Sequence, residues 1–180
     1  MSATGLEAFD HTIQTTNIWL DELMNDLPWM QRHQALHALR VVLHTLRDHL
    51  PVNSVAHLSA QLPLLLRGVF FEGWKPAKTP VRERTRDEFL MHMTDAFVFT
   101  IEADSRQIAQ AVFRLLSKFI SRGEVDKVCR SLPKAVRQLW LDSLPGVPAA
   151  QALEQPRRTR ARRARTTSSA EVETGEDIIL

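Results

Sequence analysis

The 180-residue chain has one cysteine, six glycines and no histidine after His92. A single cysteine, Cys129, excludes an intrachain disulfide and suits a reducing compartment. The glycines form no phosphate-cradling loop, and no Walker or zinc-protease pattern occurs. The longest strongly apolar stretch, Leu62 to Phe71, is interrupted by Arg67. A spanning helix needs about 20 apolar residues, so no membrane crossing is expected. Met1 to Asp10 carries neither a basic region nor an apolar run, so no signal peptide is expected and the location reads as cytoplasmic. Sustained period-2 alternation between hairpin turns is also missing, so no strands are expected.

What is present has helical period. Leu36, Leu39, Leu43, Leu46 and Leu50 form one apolar stripe, and Ala109, Phe113, Leu116 and Ile120 form another. Prolines 28, 51, 63, 76, 80, 133, 145 and 148 fall between such runs or at their starts, where a residue lacking an N–H fits. Thr85 with Glu88, Ser121 with Glu124, and Asp104 with Gln107 read as helix-starting boxes. The pattern predicts helices near 8–27, 31–50, 53–61, 63–73, 85–99, 105–120, 122–131 and 133–143.

An offset of 70 residues aligns the two halves without a gap. Trp19-Leu20 falls on Phe89-Leu90, Val42 on Val112, Leu46 on Leu116, Val55 on Val125, Leu62-Pro63 on Leu132-Pro133, and Arg67 on Arg137. The expected fold is all-α: two tandem units of about four helices, packed into one helical bundle. The expected boundaries are a flexible start at 1–7 and a body at 8–146, with units 8–74 and 85–144 and a joint at 75–84. A disordered tail is expected at 147–180. Thr45 and His49 correspond to Leu115 and Phe119, so helix 105–120 is apolar over the wider arc. That extra face is expected to receive the other unit.

The run Leu64-Leu-Leu-Arg-Gly-Val-Phe-Phe-Glu-Gly-Trp-Lys-Pro76, followed by Asp87-Glu-Phe-Leu90, resembles a bacterial family catalogued as domain of unknown function 2267. The resemblance covers about residues 6–143. It implies an all-helical bacterial protein, and it supplies no catalytic residues. The aromatic pair, often Tyr-Tyr in that family, is Phe70-Phe71 here.

Candidate chemistry is sparse. His33, His37 and His44 share a helix flank with Arg40 and Arg47, whose charge disfavours a metal ion; a polyanion or acidic protein surface fits that flank better. Cys129 lacks a base and an orienting group, so it reads as a small buried side chain. Glu22, Asp87, Glu88 and Glu124 read as caps and surface pairs. Arg67 and Arg137, at equivalent positions, are expected to grip a carboxylate of their own unit. Phe70, Phe71 and Trp74, with Arg67, form a candidate interaction patch on a largely packed aromatic cluster. No cofactor, metal site or catalytic constellation is expected, and the chain reads as a non-enzymatic interaction or regulatory module with a protein partner.

The tail, 149–180, holds six arginines (Arg157, Arg158, Arg160, Arg162, Arg163 and Arg165) against five acidic residues. The preceding 148 residues hold 17 basic and 16 acidic ones. The arginines are candidate polyanion contacts, and weak, salt-sensitive nucleic-acid binding is the alternative function. The acidic stretch 171–177 competes for them in cis.

Overall fold

The computed structural model describes residues 4–97 and 104–145. Eight α-helices run through them: α1 (Glu7–Asp26), α2 (Arg32–Asp48), α3 (Val52–Gln61), α4 (Leu64–Phe71), α5 (Arg86–Phe97), α6 (Ser105–Phe119), α7 (Arg122–Ser131) and α8 (Lys134–Leu141). A single 3-10 turn, Pro76–Lys78, lies between α4 and α5, and there is no strand among the described residues. The fold is the all-α bundle expected from the periodicity. The tail 147–180 lies outside the described residues. Part of the start does too; within it, the Thr4 amide and hydroxyl donate to Asp10 Oδ1 at 3.1 and 2.9 Å.

The two leucine-type stripes are the inner faces of α2 and α6. Leu39, Leu43, Leu46, Leu50, Ala109, Phe113 and Leu116 are fully buried, and they belong to one continuous core. Burying each large side chain contributes about 1.5–3 kcal/mol. Truncating one of these leucines to alanine should cost about 2–5 kcal/mol.

Helix ends follow local chemistry. Pro51, Pro63 and Pro133 are N-caps, with φ of −58°, −53° and −52°. Thr85 and Glu88 form the expected reciprocal box: Thr85 Oγ1 accepts from the Glu88 amide (3.2 Å), and Glu88 accepts from the Thr85 amide (3.0 Å). Asp104 accepts from the Arg106 amide at 2.9 Å. The box expected at Ser121 does not form: the Ser121 side chain makes no cap bond, and Glu124 is buried, pairing with Lys127 at 3.3 Å.

The offset of 70 reappears in the helix bounds. Val52–Gln61 maps onto Arg122–Ser131, and Leu64–Phe71 onto Lys134–Leu141, residue for residue. The first helices cross over: α1 packs on both α2 and α6, and so does α5. Across the middle, α2 meets α6 and α3 meets α7. Phe119 of α6 stacks on Trp19 of α1 at 5.0 Å, which is the cross-unit contact expected of its wider apolar arc. Its counterpart His49 sits edge-on to Phe89, the counterpart of Trp19, also at 5.0 Å. Thr45 and His49 are therefore as buried as the apolar residues they match, at 8% and 4% exposure. Thr45 tolerates this because its hydroxyl donates to the Val41 carbonyl (2.9 Å), and His49 because Nδ1–H donates to the Thr45 carbonyl (2.7 Å).

Candidate functional site

The basic flank of α2 faces the carboxyl end of α4, where unpaired carbonyls collect. Arg47, 3% exposed, donates through Nη1 to the carbonyls of Phe70 (2.6 Å) and Glu72 (2.9 Å) and through Nε to Asp48 (2.8 Å). His44 Nε2–H donates to the Val69 carbonyl at 2.6 Å. Arg40 lies 3.2 Å from the Glu72 carboxylate, and His37 Nε2 lies 3.3 Å from the Ala96 carbonyl. Gly73, at φ +66°, adopts the left-handed backbone that lets the chain turn away after α4. The Arg47 and Arg40 cations complement the negative end of a helix. Arg47 and His44 are thus engaged inside the fold, whereas His33 is exposed and Arg40 pairs with Glu72 at the surface. Burial is the main cause that pushes the His44 imidazole below the ordinary histidine value, with the Arg47 charge adding to it, so it donates as the neutral form.

Arg67 and Arg137 do play the same role in the two units, but their partners are carbonyls rather than a carboxylate. Arg67 Nε donates to Ser59 (2.8 Å), and Nη2 donates to Ala60 (3.3 Å) and Leu62 (3.2 Å). Arg137 donates to Cys129 (2.7 Å), Arg130 (3.1 Å) and Leu132 (3.2 Å), each 70 residues on. Each planar fork closes the last turn of the preceding short helix.

The aromatic cluster offers little surface. Phe70 is fully buried, and Phe71 and Trp74 are half-buried against the core. Of the candidate patch, Phe70 is thus in the core, while Arg67, Phe71 and Trp74 keep part of their surface. Cys129 is buried; desolvation, with the Asp126 charge adding to it, pushes its thiol up to about 12, which keeps it protonated. Among the described residues no group of three or more His, Cys, Asp or Glu side chains could hold a metal ion, and no helix is long and apolar enough to cross a membrane. The six tail arginines, 157 to 165, lie outside the described residues.

Two open features remain. The first is an exposed apolar face. Arg86, the first residue of α5, corresponds to Thr16, so α1 starts nine residues earlier than its counterpart. This overhang is about 13 Å long. It carries Leu6 at its cap, Phe9 and Ile13, which are 54%, 51% and 42% exposed. Thr12, on the adjoining face of the helix, accepts from the Leu65 amide at 3.4 Å, which brings the first turn of α4 alongside. There Leu64 and Leu65 are 56% and 46% exposed. Helical spacing alone reads such residues as core, so the sequence pattern missed them. The available signal was the offset, because Leu64 and Leu65 correspond to Lys134 and Ala135.

The second feature is a groove of about 1070 Å³ between α1 and helices α6 to α8. Leu23, Leu115, Val125 and Leu141 give it apolar walls. The pairs Lys118 with Glu22 (2.5 Å) and Arg114 with Asp26 (2.8 Å) rim it.

A comparison with curated proteins finds no match. The model of the uncharacterized conserved protein family DUF2267 matches residues 16–139, from Thr16, the counterpart of the first residue of α5, to Leu139 within α8. Across both units and the joint between them, the chain belongs to the DUF2267 family.

Proposed function

We propose that the protein is a non-enzymatic interaction module whose partner docks on the apolar face made by the α1 overhang and the first turn of α4. The observation that carries this reading is internal. The third and fourth helices of the two units share their bounds and arginine caps, yet only the first unit exposes Phe9, Ile13, Leu64 and Leu65 together. The packing of α8 accepts Lys134 where α4 has Leu64, so the fold does not demand an apolar residue there. Exposed apolar patches of this kind are characteristic of docking surfaces. Glu7 and Asp10 place negative charge beside the patch, which favours a partner segment with apolar side chains and basic flanks. The non-enzymatic part is supported by the roles of the polar groups: Arg47, Arg67, Arg137 and His44 are all engaged with backbone carbonyls.

A photo-crosslinker at Leu65 in the full chain tests the reading. A partner band is expected from cell extract, lost in an Ile13→Glu, Leu64→Glu variant and kept in a Lys134→Glu control. Equal crosslinking by both variants contradicts it. The density of arginine between 157 and 165 favours a second activity, weak polyanion binding. If all six engage, log K should fall with log salt at a slope of about −4 to −5.

A further inference from the structure

The joint between the units has a definite path. Beyond α4, the Val81 amide donates to the Asp48 carbonyl at 2.8 Å. The Glu83 carboxylate then accepts from His92 Nε2 (2.7 Å) and lies 3.5 Å from His49 Nε2. Residues 75–84 therefore cross the end of α2 and the flank of α5. Val81 and Glu83 turn inward and are half-buried, while Arg82 and Arg84 are exposed. This alternation is that of an extended chain, whose side chains point to opposite sides in turn.

The cations of the joint hold nothing together inside the fold. Lys75, Lys78, Arg82 and Arg84 are all exposed, and none makes an ion pair or a side-chain hydrogen bond among the described residues. The acids nearby are engaged elsewhere: Asp48 pairs with Arg47, Glu72 with Arg40, and Glu88 accepts from the Thr85 hydroxyl. Arg86, next along, is offset by Asp87 at 3.7 Å. Residues 75–84 hold these four cations and one acid, Glu83. Of the 17 basic and 16 acidic residues in the first 148, 13 and 15 therefore lie outside the joint. Positive charge in an otherwise net-acidic body is concentrated on this one segment, where it attracts a polyanion.

Spacing identifies the polyanion. Arg82 and Arg84, two residues apart in an extended chain, leave the backbone about 6.6 Å apart. Lys75 caps the 3-10 turn that ends at Lys78, and residues three apart in such a turn eclipse at about 6 Å. Both separations are close to that of successive phosphates along a nucleic-acid strand. The arginine fork and the lysine ammonium both bind phosphate oxygens. Residues 75–84 hold no aromatic side chain on which a base could stack, so the contacts go to the backbone.

We propose that the exposed face of 75–84 binds the phosphodiester backbone of a nucleic-acid strand through Lys75, Lys78, Arg82 and Arg84, without reading its sequence. The bonds from Val81 to Asp48 and from His92 to Glu83 hold the segment in its extended path, so little ordering is left to be done on binding. This site is separate from the α1–α4 face and from the tail arginines, and it depends on neither.

Fluorescence anisotropy with a short oligothymidylate across a salt series tests it on the full-length chain. The six tail arginines are first replaced by glutamine, so that the binding that remains belongs elsewhere. Log K should then fall with log salt at a slope of about −3, for four contacts at about 0.7 each. A matching duplex should give about −3.6, and the tighter of the two names the source of the backbone. Adding Lys75→Gln, Lys78→Gln, Arg82→Gln and Arg84→Gln should abolish the slope and weaken binding at low salt at least tenfold, with the thermal melt unchanged. Arg122→Gln with Lys134→Gln, at two exposed positions elsewhere, should leave the slope as it was. In the unsubstituted chain, the oligonucleotide should shift the amides of 75–86 more than those of α3 and α7. A tail-neutral chain that does not bind overturns the proposal, and so does a slope unmoved by the four substitutions. Displacement of the oligonucleotide by an equal charge of polyglutamate also overturns it, and would assign the face to an acidic protein surface.

Discussion

At the offset of 70, matching helices of the two halves carry different side chains. In the first, α2 sends the buried Arg47 to the Phe70 carbonyl on α4. In the second, the counterparts are Ser117 and Trp140, and the indole Nε1–H donates to the Ser117 hydroxyl at 2.9 Å. A long cation beside a Phe is exchanged for a small hydroxyl beside a larger ring, so the space between second and fourth helix is filled either way. The ring pairs across the units show the same exchange: Trp19 stacks on Phe119, and Phe89 meets His49. The architecture thus depends on filled volume and satisfied polar atoms rather than on one residue choice. Charge enters wherever a carbonyl is present to receive it.

The largest effect expected from breaking this comparison is at Arg47. Arg47→Ser removes a buried cation and leaves Asp48 and two carbonyls without it, at a cost of about 3–5 kcal/mol. Adding Phe70→Trp reproduces the second unit's pair and should recover at least about 1 kcal/mol of that loss. Urea unfolding of the four proteins in this cycle measures the coupling, and strict additivity would show that the two sites are independent.

Next come the two arginine caps. Arg67→Lys and Arg137→Lys each exchange a three-bond fork for a single ammonium, and each should lower stability by about 1–2 kcal/mol. Their near-equality is the sharper point. A loss at one position with none at the other would mean that the matched bonds do unmatched work.

The histidine gives a pH signature confined to the first unit. Burial is the main cause holding both His44 and His49 below the ordinary value of 6.5. Above 6.5 both are neutral folded or unfolded, and stability is complete. As pH falls below 6.5 the unfolded chain binds protons first, so stability drops until the folded-state values are passed. Each histidine contributes at most about 1.4 kcal/mol per pH unit to that slope. His49→Phe, which installs the residue of the second unit, should remove its share, so thermal melts between pH 7 and 5.5 should show a flatter decline. An unchanged slope would place the acid sensitivity elsewhere.

The smallest effect is at Cys129, whose counterpart is Ser59. Ser59 satisfies its hydroxyl on the Ala56 carbonyl at 2.8 Å, and a serine at 129 has the same option on α7. Cys129→Ser should therefore cost under about 1 kcal/mol in the same urea assay. A loss of several kcal/mol would show that the α7 site cannot supply that bond.

Much of the fold was legible because its signals are local. The stripes through Leu39 and Phe113, the prolines and the Thr85 box all act within a turn or two of themselves. The matched arginines were visible as a pair, but their acceptors were not, since a backbone carbonyl leaves no mark in a residue pattern. The role of the α2 flank was hidden for the same reason: Arg47 and His44 look solvated until the end of α4 arrives beside them. The Ser121 box failed because Glu124 turns into the packing instead of back to its cap. At the candidate site the pattern named the Phe70 cluster, in which Phe70 is buried and Phe71 and Trp74 are half-buried. It missed Phe9, Ile13, Leu64 and Leu65, because amphipathic spacing does not record where a helix outruns its neighbours.

The crossing of first helices over both second helices makes one claim testable above the others: the units share a core and open together. Native-state hydrogen exchange across increasing denaturant measures this. The slowest amides of α2, around Leu43, and of α6, around Val112, should converge on one free energy equal to that of global unfolding. If one unit exchanged at a lower free energy while the other stayed protected, the shared core would be contradicted.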